Sequence, residues 1–208
     1  YAHLYLYERP YDKPEAEEKV WLSNMAAAAA RTLNIAPDHV ITKTRFIQRS
    51  DDQTDQYERI ASDRHVTGTV QEQGQLFTVN LTDYIDTGLF FDHRPLRAII
   101  RDTCAGKTVL NLFCYTGSFS VYAAEGKARL VESVDMSKTY LDWAKRNCSL
   151  NDFEDETKYL FTRQDCVGFL NQKNAEVANE AVASKAPVFD KNNVRLAPNR
   201  WDLIVLDP

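Results

Sequence analysis

Val109-Leu-Asn-Leu-Phe-Cys-Tyr-Thr-Gly117-Ser-Phe119 decides the reading of this chain. An apolar run, Val109 to Phe113, ends in a turn holding a single glycine. An apolar helical pattern follows through Val121, Tyr122 and Ala124. Strand, glycine-bearing turn and helix in that order begin an open α/β sheet, whose nucleotide crevice lies beyond the strand's carboxyl end. The full G-x-G-x-x-G is absent. Its second glycine lets backbone approach a pyrophosphate, and only Gly117 is present here. A β-turn-α unit also occurs with no ligand at all, so the motif alone leaves the function open.

Three further strand ends narrow it. Leu130-Val-Glu-Ser-Val-Asp135 reads as a second strand closing on an acid 18 residues after Gly117, a spacing suited to ribose hydroxyls. Tyr159-Leu-Phe-Thr runs toward Asp165, where a carboxylate can accept from an adenine amino group. Trp201-Asp-Leu-Ile-Val-Leu ends in Asp207-Pro208. Each acid singly is also an ordinary helix N-cap; a rim of polar groups at four successive strand ends is harder to explain that way. A ligand without phosphates, such as S-adenosylmethionine, needs no close backbone approach. Its amino-acid end can be held by turn amides and short polar side chains over Asn111, Phe113, Tyr115, Thr116 and Gly117.

Longer segments then carry a resemblance: Val79-Asn-Leu-Thr-Asp-Tyr-Ile-Asp-Thr-Gly-Leu-Phe-Phe-Asp-His-Arg94, Leu110 to Ser118, Val134-Asp-Met-Ser137, Thr139-Tyr-Leu-Asp-Trp-Ala-Lys-Arg-Asn147, Gln164-Asp-Cys166 and Asp207-Pro208. In these the chain resembles the class I S-adenosylmethionine methyltransferases that modify large-subunit ribosomal RNA. Its pattern is nearest the guanine-N7 methyltransferase domain forming the C-terminal half of a fused bacterial 23S rRNA enzyme. The match is near-continuous from 79 to 166 and fainter over the first 78 residues. It implies a Rossmann-like sheet, S-adenosylmethionine as cofactor, 23S ribosomal RNA as substrate and further domains in the full polypeptide. It also implies a cofactor pocket lined by Phe91, Asp92 and Arg94, with Asp135, Met136, Asp165 and Cys166 on the nucleoside side. Asp207 and Pro208 would stand at the catalytic mouth.

Composition bounds the alternatives. The 208 residues are 44% hydrophobic and 26% charged, a globular composition, and no apolar run approaches a membrane span. The four cysteines, 104, 114, 148 and 166, form no C-x-x-C pair, and the histidines show no ligand spacing. Buried free thiols in a reducing cytoplasm are expected, without a metal site. A net charge of −5 argues against a stand-alone RNA binder, because phosphate contacts dominate such affinity. The opening without Met and the close at Asp207-Pro208 read as cut ends. By the resemblance, about three more strands are expected after the fourth, making Trp201 to Leu206 an interior strand.

The expected architecture is α/β: a small α+β domain over 1–80, then a methyltransferase domain over 81–208. In the first, a strand at 1–9 precedes a helix from Pro14 to about Asn34 with Val20, Met25, Ala28 and Leu33 inward. Lys43, Arg45, Arg49, Arg59 and Arg64 are candidate RNA contacts, offset by Asp51, Asp52, Asp55, Glu58 and Asp63. A hairpin turns through Gln71-Glu-Gln-Gly74. In the second, the helix after Pro95 should bury Ile99 and Ile100, with Asp92 either lining the pocket or capping that helix. Ser137 should cap the next helix, and 171–200 reads as an insertion with one helix near 175–183. Three other functions stay open: cytosine-C5 transfer through a cysteine downstream, a nicotinamide-dependent oxidoreductase, and a non-catalytic RNA-binding or assembly module.

Overall fold

The computed structural model describes residues 1–7, 13–45, 64–183, 188–189, 195–196 and 201–206. Two compact units divide the chain: a leading unit of Tyr1–Thr67 with Asn80–Thr87, and a sheet unit of Gly68–Val79 with Gly88–Pro208. The expected division at residue 80 differs from this in two respects. The hairpin segment 68–79 groups with the sheet unit, and residues 81–87 group with the leading one.

In the leading unit, β1 (Ala2–Tyr7) pairs in parallel with β2 (Val40–Arg45), and α1 (Glu15–Leu33) makes the crossover and packs on β2. The inward face of α1 is not the expected one. Val20 and Leu33 are exposed, Met25 is at the surface, and Ala30 is the buried residue. Trp21, Leu22 and Ala26 to Ala29 are half-buried. Lys43 is buried with its ammonium on the carbonyls of Tyr84 and Ile85, and Arg45 pairs with Asp86. Burial lowers the Lys43 pKa to about 8 against the pull of Asp86. Both cations thus tie the 80–87 segment to β2. Arg49 and Arg59 lie outside the described residues.

Asp83 is also buried. Burial would raise its pKa, but hydrogen bonds from His65, Asn80 and Thr82 outweigh that and hold it down to about 2.

The sheet unit is built on four parallel strands in the order β10-β5-β6-β7, with β5 at Thr108–Leu112, β6 at Leu130–Asp135, β7 at Tyr159–Arg163 and β10 at Leu203–Leu206. The helices are α2 (Arg94–Thr103), α3 (Ser118–Glu125), α4 (Lys138–Ser149) and α5 (Cys166–Ala183). Both sheet faces are covered, as parallel strands require. Val109, Val131 and Val205 pack with Ile100, Phe119 and Ala123; Leu110, Leu112 and Val134 pack with Cys166 and Phe169. Among the described residues β10 is an edge strand beside β5, with Ile204 and Leu206 exposed. α5 starts at Cys166, earlier than the helix expected near 175, and the short strands β8 (Val188–Phe189) and β9 (Arg195–Leu196) pair antiparallel. No helix of the described residues is long and apolar enough to cross a membrane.

The hairpin pairs β3 (Thr67–Glu72) with β4 (Gln75–Asn80). Its turn is tighter than the sequence suggested: only Gln73 and Gly74 connect the strands, with φ of 49° and 96°. Positive φ at both central residues is the turn whose twist matches a hairpin. Glu72 is thereby the last residue of β3 and becomes a buried hub. Its Oε1 accepts from Arg97 Nε at 2.9 Å and Tyr122 Oη at 3.0 Å, and its Oε2 from Arg94 Nε at 2.9 Å. Arg97 has no exposed surface and also donates to the Phe90 carbonyl, 2.9 Å away. Ile99, expected inside, is exposed, and Arg97 occupies the inward face of α2 in its place. α2 tilts its charged side inward because a buried carboxylate waits there.

Burial opposes ionisation of Glu72, yet the two arginines and Tyr122 hold its carboxyl below the usual glutamate range. A depressed carboxyl pKa contributes stability in full above its unfolded value, and that contribution disappears as pH falls through the folded value. Glu72→Ala should therefore cost about 3–5 kcal/mol at neutral pH, because it strands the buried Arg97 charge. Denaturant midpoints would read the loss, and the gap to the unsubstituted protein should shrink on acidification below about pH 4.

Candidate functional site

Between β5 and α3 the chain makes a five-residue turn, Phe113 to Gly117. Phe113, Tyr115 and Gly117 have φ of 54°, 50° and 73°, all left-handed. For Phe and Tyr that conformation costs about 1–3 kcal/mol each and persists only where surroundings over-determine it, as at binding sites. The surroundings are visible. Phe113 N donates to Cys166 Sγ at 3.2 Å, Cys114 N to the Val134 carbonyl at 3.0 Å, Tyr115 N to Asp135 Oδ2 at 2.9 Å, and Gly117 N to the Cys114 carbonyl at 2.8 Å. These four amides, expected from sequence to serve a ligand, serve the turn itself.

Gly117 has a second reason to be glycine. A Cβ there would stand 2.7 Å from Ala144 Cβ on α4. The lone glycine of the motif thus serves helix packing as well as turn conformation. Gly88 repeats the logic: φ is 99° and a Cβ would meet the Trp143 ring at 2.4 Å.

Asp135, at the end of β6, joins the turn to the next helix. Its Oδ2 holds Tyr115 N and its Oδ1 holds Ser137 N at 2.8 Å, while Ser137 caps α4 as the sequence suggested. Each carboxylate oxygen keeps a further lone pair for another donor. Met136 beside it is 61% exposed. Asp165 caps the start of α5 through Gly168 N at 2.7 Å and is exposed. Phe91 and Asp92 are exposed; Asp92 does not cap α2, whose N-cap is His93 without a side-chain hydrogen bond. Phe90 lies 5.4 Å from the Tyr115 ring, and Tyr140 packs edge-on against Tyr115 at 4.4 Å.

Four expected site residues turn inward or elsewhere. Asn111 is buried and donates to Ser120 Oγ at 2.9 Å, and Ser120 bonds Ser133 at 2.7 Å, a polar triad linking β5, α3 and β6. Thr116 is buried, with Oγ1 on the Gly88 carbonyl at 2.6 Å. Cys166 lies buried beneath the turn. Arg94 is engaged by Glu72. Asp207 and Pro208 lie outside the described residues.

Reading the sequence missed one element of this site. Trp143 and Asn147 on α4, with Asn151 just past its end, are spaced by four and bond to β4, and Asn147 also bonds to the turn. The detectable signal was amide side chains on the apolar face of a helix.

All four cysteines are free and buried. Burial raises the pKa of Cys104, Cys166 and, well above the ordinary range, Cys114, and pushes Cys148 up to about 12. Neutral thiols are poor nucleophiles, so these four pack instead of reacting.

Gly117→Ala should lower stability by about 1–2 kcal/mol through the left-handed backbone alone, and more through the clash with Ala144. Adding Ala144→Gly should recover the steric part and not the backbone part, as thermal melts of the two variants would show.

The geometry agrees with what comparison with known proteins finds. A family model described as S-adenosylmethionine-dependent methyltransferase matches residues 9–199. A relative from Shewanella frigidimarina, "Ribosomal RNA large subunit methyltransferase K/L", is 39% identical over 203 residues, which are 98% of this chain and 27% of the relative. One of the same name from Pseudomonas putida is 45% identical over 214 residues, 95% of this chain and 29% of the relative. The chain thus spans less than a third of the length of these curated relatives. Among solved structures, SMU.776, described as a methyltransferase and solved with SAH, aligns with a TM-score of 0.59 at 22% identity, over 84% of this chain and 42% of its own. The complex of aTrm5 with tRNA-Leu aligns with a TM-score of 0.52 at 16% identity, over 78% and 45%. At such identities these likenesses speak for the fold, a class I Rossmann-like sheet. The chain belongs to the S-adenosylmethionine-dependent methyltransferase family.

Proposed function

We propose that this chain is the cofactor-binding methyltransferase part of an enzyme acting on 23S ribosomal RNA, with guanine N7 as the methyl acceptor. The observation that carries the reading is Asp135, whose carboxylate bridges a strained turn and a helix start at the end of the second strand of the sheet. Support for the substrate comes from relatives named for ribosomal RNA large subunit methylation at 39% and 45% identity.

The residues fit S-adenosylmethionine. Asp135 has lone pairs left for ribose hydroxyls, the exposed Met136 offers an apolar surface to adenine, and the exposed Asp165 an acceptor to its amino group. Phe91 and Asp92 lie at the surface of the same unit. The amino-acid end would meet Asn111 to Gly117. With four amides of that turn committed internally, its carbonyls, each with a second lone pair, suit an ammonium better than a carboxylate. Asn111, Thr116, Cys166 and Arg94 act in this reading by holding the frame. Asp207 and Pro208 would stand where the target base enters.

The cofactor brings a methyl group on a sulfonium, electrophilic without help. Guanine N7 has an exposed lone pair and no proton to lose, so alignment and exclusion of water are what the protein must supply. Neither a general base nor a nucleophile is required. Cytosine C5 would need a thiolate added to the ring first; the four thiols here are buried with raised pKa values and do not supply it, so that reading requires a cysteine downstream. The leading unit is proposed as an RNA-contacting module, its partners including the further domains of a longer polypeptide.

Asp135→Ala should weaken S-adenosylmethionine binding by about 1–3 kcal/mol, the scale of hydrogen bonds to a charged group; unchanged affinity by calorimetry would refute the ribose assignment. Replacing Cys104, Cys114, Cys148 and Cys166 together by Ala or Ser should cost stability and leave measurable transfer. Mass spectrometry of digested ribosomal RNA should then show methylguanine and no methylcytosine. Methylcytosine, or a covalent adduct with RNA carrying 5-fluorocytosine, would hand the reaction to the thiol mechanism.

A further inference from the structure

Asn147 is completely buried on α4, and both ends of its amide are engaged. Its Oδ1 accepts from Thr78 N at 2.9 Å and Thr78 Oγ1 at 2.8 Å; its Nδ2 donates to the Thr116 carbonyl at 2.9 Å. One side chain therefore joins the hairpin strand β4 to the turn at 113–117. The hydrogen bonds of Trp143 and Asn151 to β4 hold the hairpin only. Trp143 Nε1 donates to the Thr78 carbonyl at 3.1 Å. Asn151 receives Leu76 N at 2.8 Å and gives to the Leu76 carbonyl at 2.7 Å. Together the three side chains occupy the edge groups of residues 76 and 78 that a neighbouring strand would otherwise pair with.

The contact with Thr116 matters because of the peptide it fixes. The Thr116–Gly117 peptide has its carbonyl held by Asn147 and its N–H held by the Cys114 carbonyl at 2.8 Å. With left-handed residues at 115 and 117 on either side, rotation of that one peptide would reshape the turn. A buried carbonyl left without a donor is also costly.

We infer that Asn147 is a positioning residue for the cofactor: it touches no ligand but locks the Thr116–Gly117 peptide and couples the turn to the β3–β4 hairpin. The inference rests on the cofactor lying against this turn. Asn151 supplies the internal control: just past the end of α4 it clamps the same hairpin, its Nδ2 also donates to the Asn147 backbone carbonyl at 2.7 Å, and none of its described hydrogen bonds reaches the turn.

Asn147→Asp keeps an acceptor for Thr78 and removes the donor to Thr116. As a carboxylate it opposes the carbonyl; as an acid its O–H can donate there again, and burial favours the acid. S-adenosylhomocysteine affinity, measured by calorimetry, should fall about tenfold or more for Asn147→Asp near pH 8.5 and recover toward the unsubstituted value near pH 6. The buried thiols of Cys114 and Cys148 stay protonated over that range. Asn151→Asp should destabilise the fold yet keep affinity within about twofold and independent of pH. Equal losses in both variants, or none in Asn147→Asp, would overturn the inference.

If Asn147→Asp does not fold, hydrogen exchange on the unsubstituted protein decides. Adding S-adenosylhomocysteine should slow exchange at Thr78 N and Gly117 N more than at Leu76 N, because coupling between sites is reciprocal. Uniform change, or no change at Thr78, would overturn it. The site reading itself fails by a different result, namely Asp135→Ala with undiminished affinity.

Discussion

A turn with three left-handed residues among five cannot hold itself, and much of the sheet unit is arranged around supplying what it lacks. Its amides are met from β6 by Val134 and Asp135, from α5 by Cys166, and from within by Cys114. Its carbonyl at Thr116 is met from α4 by Asn147, and the Thr116 hydroxyl reaches back to Gly88. The absence of side chains at Gly88 and Gly117 lets Trp143 and Ala144 of α4 come close enough for this. β6, α4, α5 and the Gly88 carbonyl each spend a polar group on its shape. Strain of this kind is found where a ligand must be met by a pre-set backbone.

A second buried network holds the hairpin. Glu72, Arg94, Arg97 and Tyr122 bring β3, α2 and α3 together around one carboxylate. Such a cluster is poor in net stabilisation but intolerant of losing a member. The two networks secure the hairpin from different elements: Glu72 through α2 and α3, Thr78 through α4 and Leu76 through Asn151 just past its end. A two-strand hairpin is marginal by itself. Here it is a fixed part of the sheet unit because its polar groups are met by buried side chains on three helices.

Much of the fold was legible. The strands ending near Leu112, Asp135 and Arg163, the Ser137 cap and the free buried cysteines follow from apolar period, cap chemistry and cysteine spacing. What failed did so for particular reasons. Ile99 is exposed and Arg97 buried because periodicity assigns the inward face by hydrophobicity, and Glu72 reverses that rule locally, while Ile100 is buried as expected. Val20 and Leu33 were assigned inward by the same rule, yet both are exposed and Ala30 is the buried residue of α1. The hairpin turn was drawn too long because Gln73 in a left-handed conformation has no strong sequence signal.

By itself the sequence determined the order of strands and helices, the acids at strand ends and the glycine in the turn, because these depend on local period and backbone sterics. The candidate rim from Asn111 to Asp165 came from that order. Which of those residues face outward was decided by tertiary structure alone. Asn111, Thr116 and Cys166 are as polar or reactive in the sequence as Asp135 and Asp165, but their partners Ser120, Gly88 and the Phe113 amide lie on other segments. Asn147 is the sharpest case. Its two partners are 69 and 31 residues away in the chain; its place on the apolar face of a helix is a signal of burial, but nothing local names the distant segments it binds.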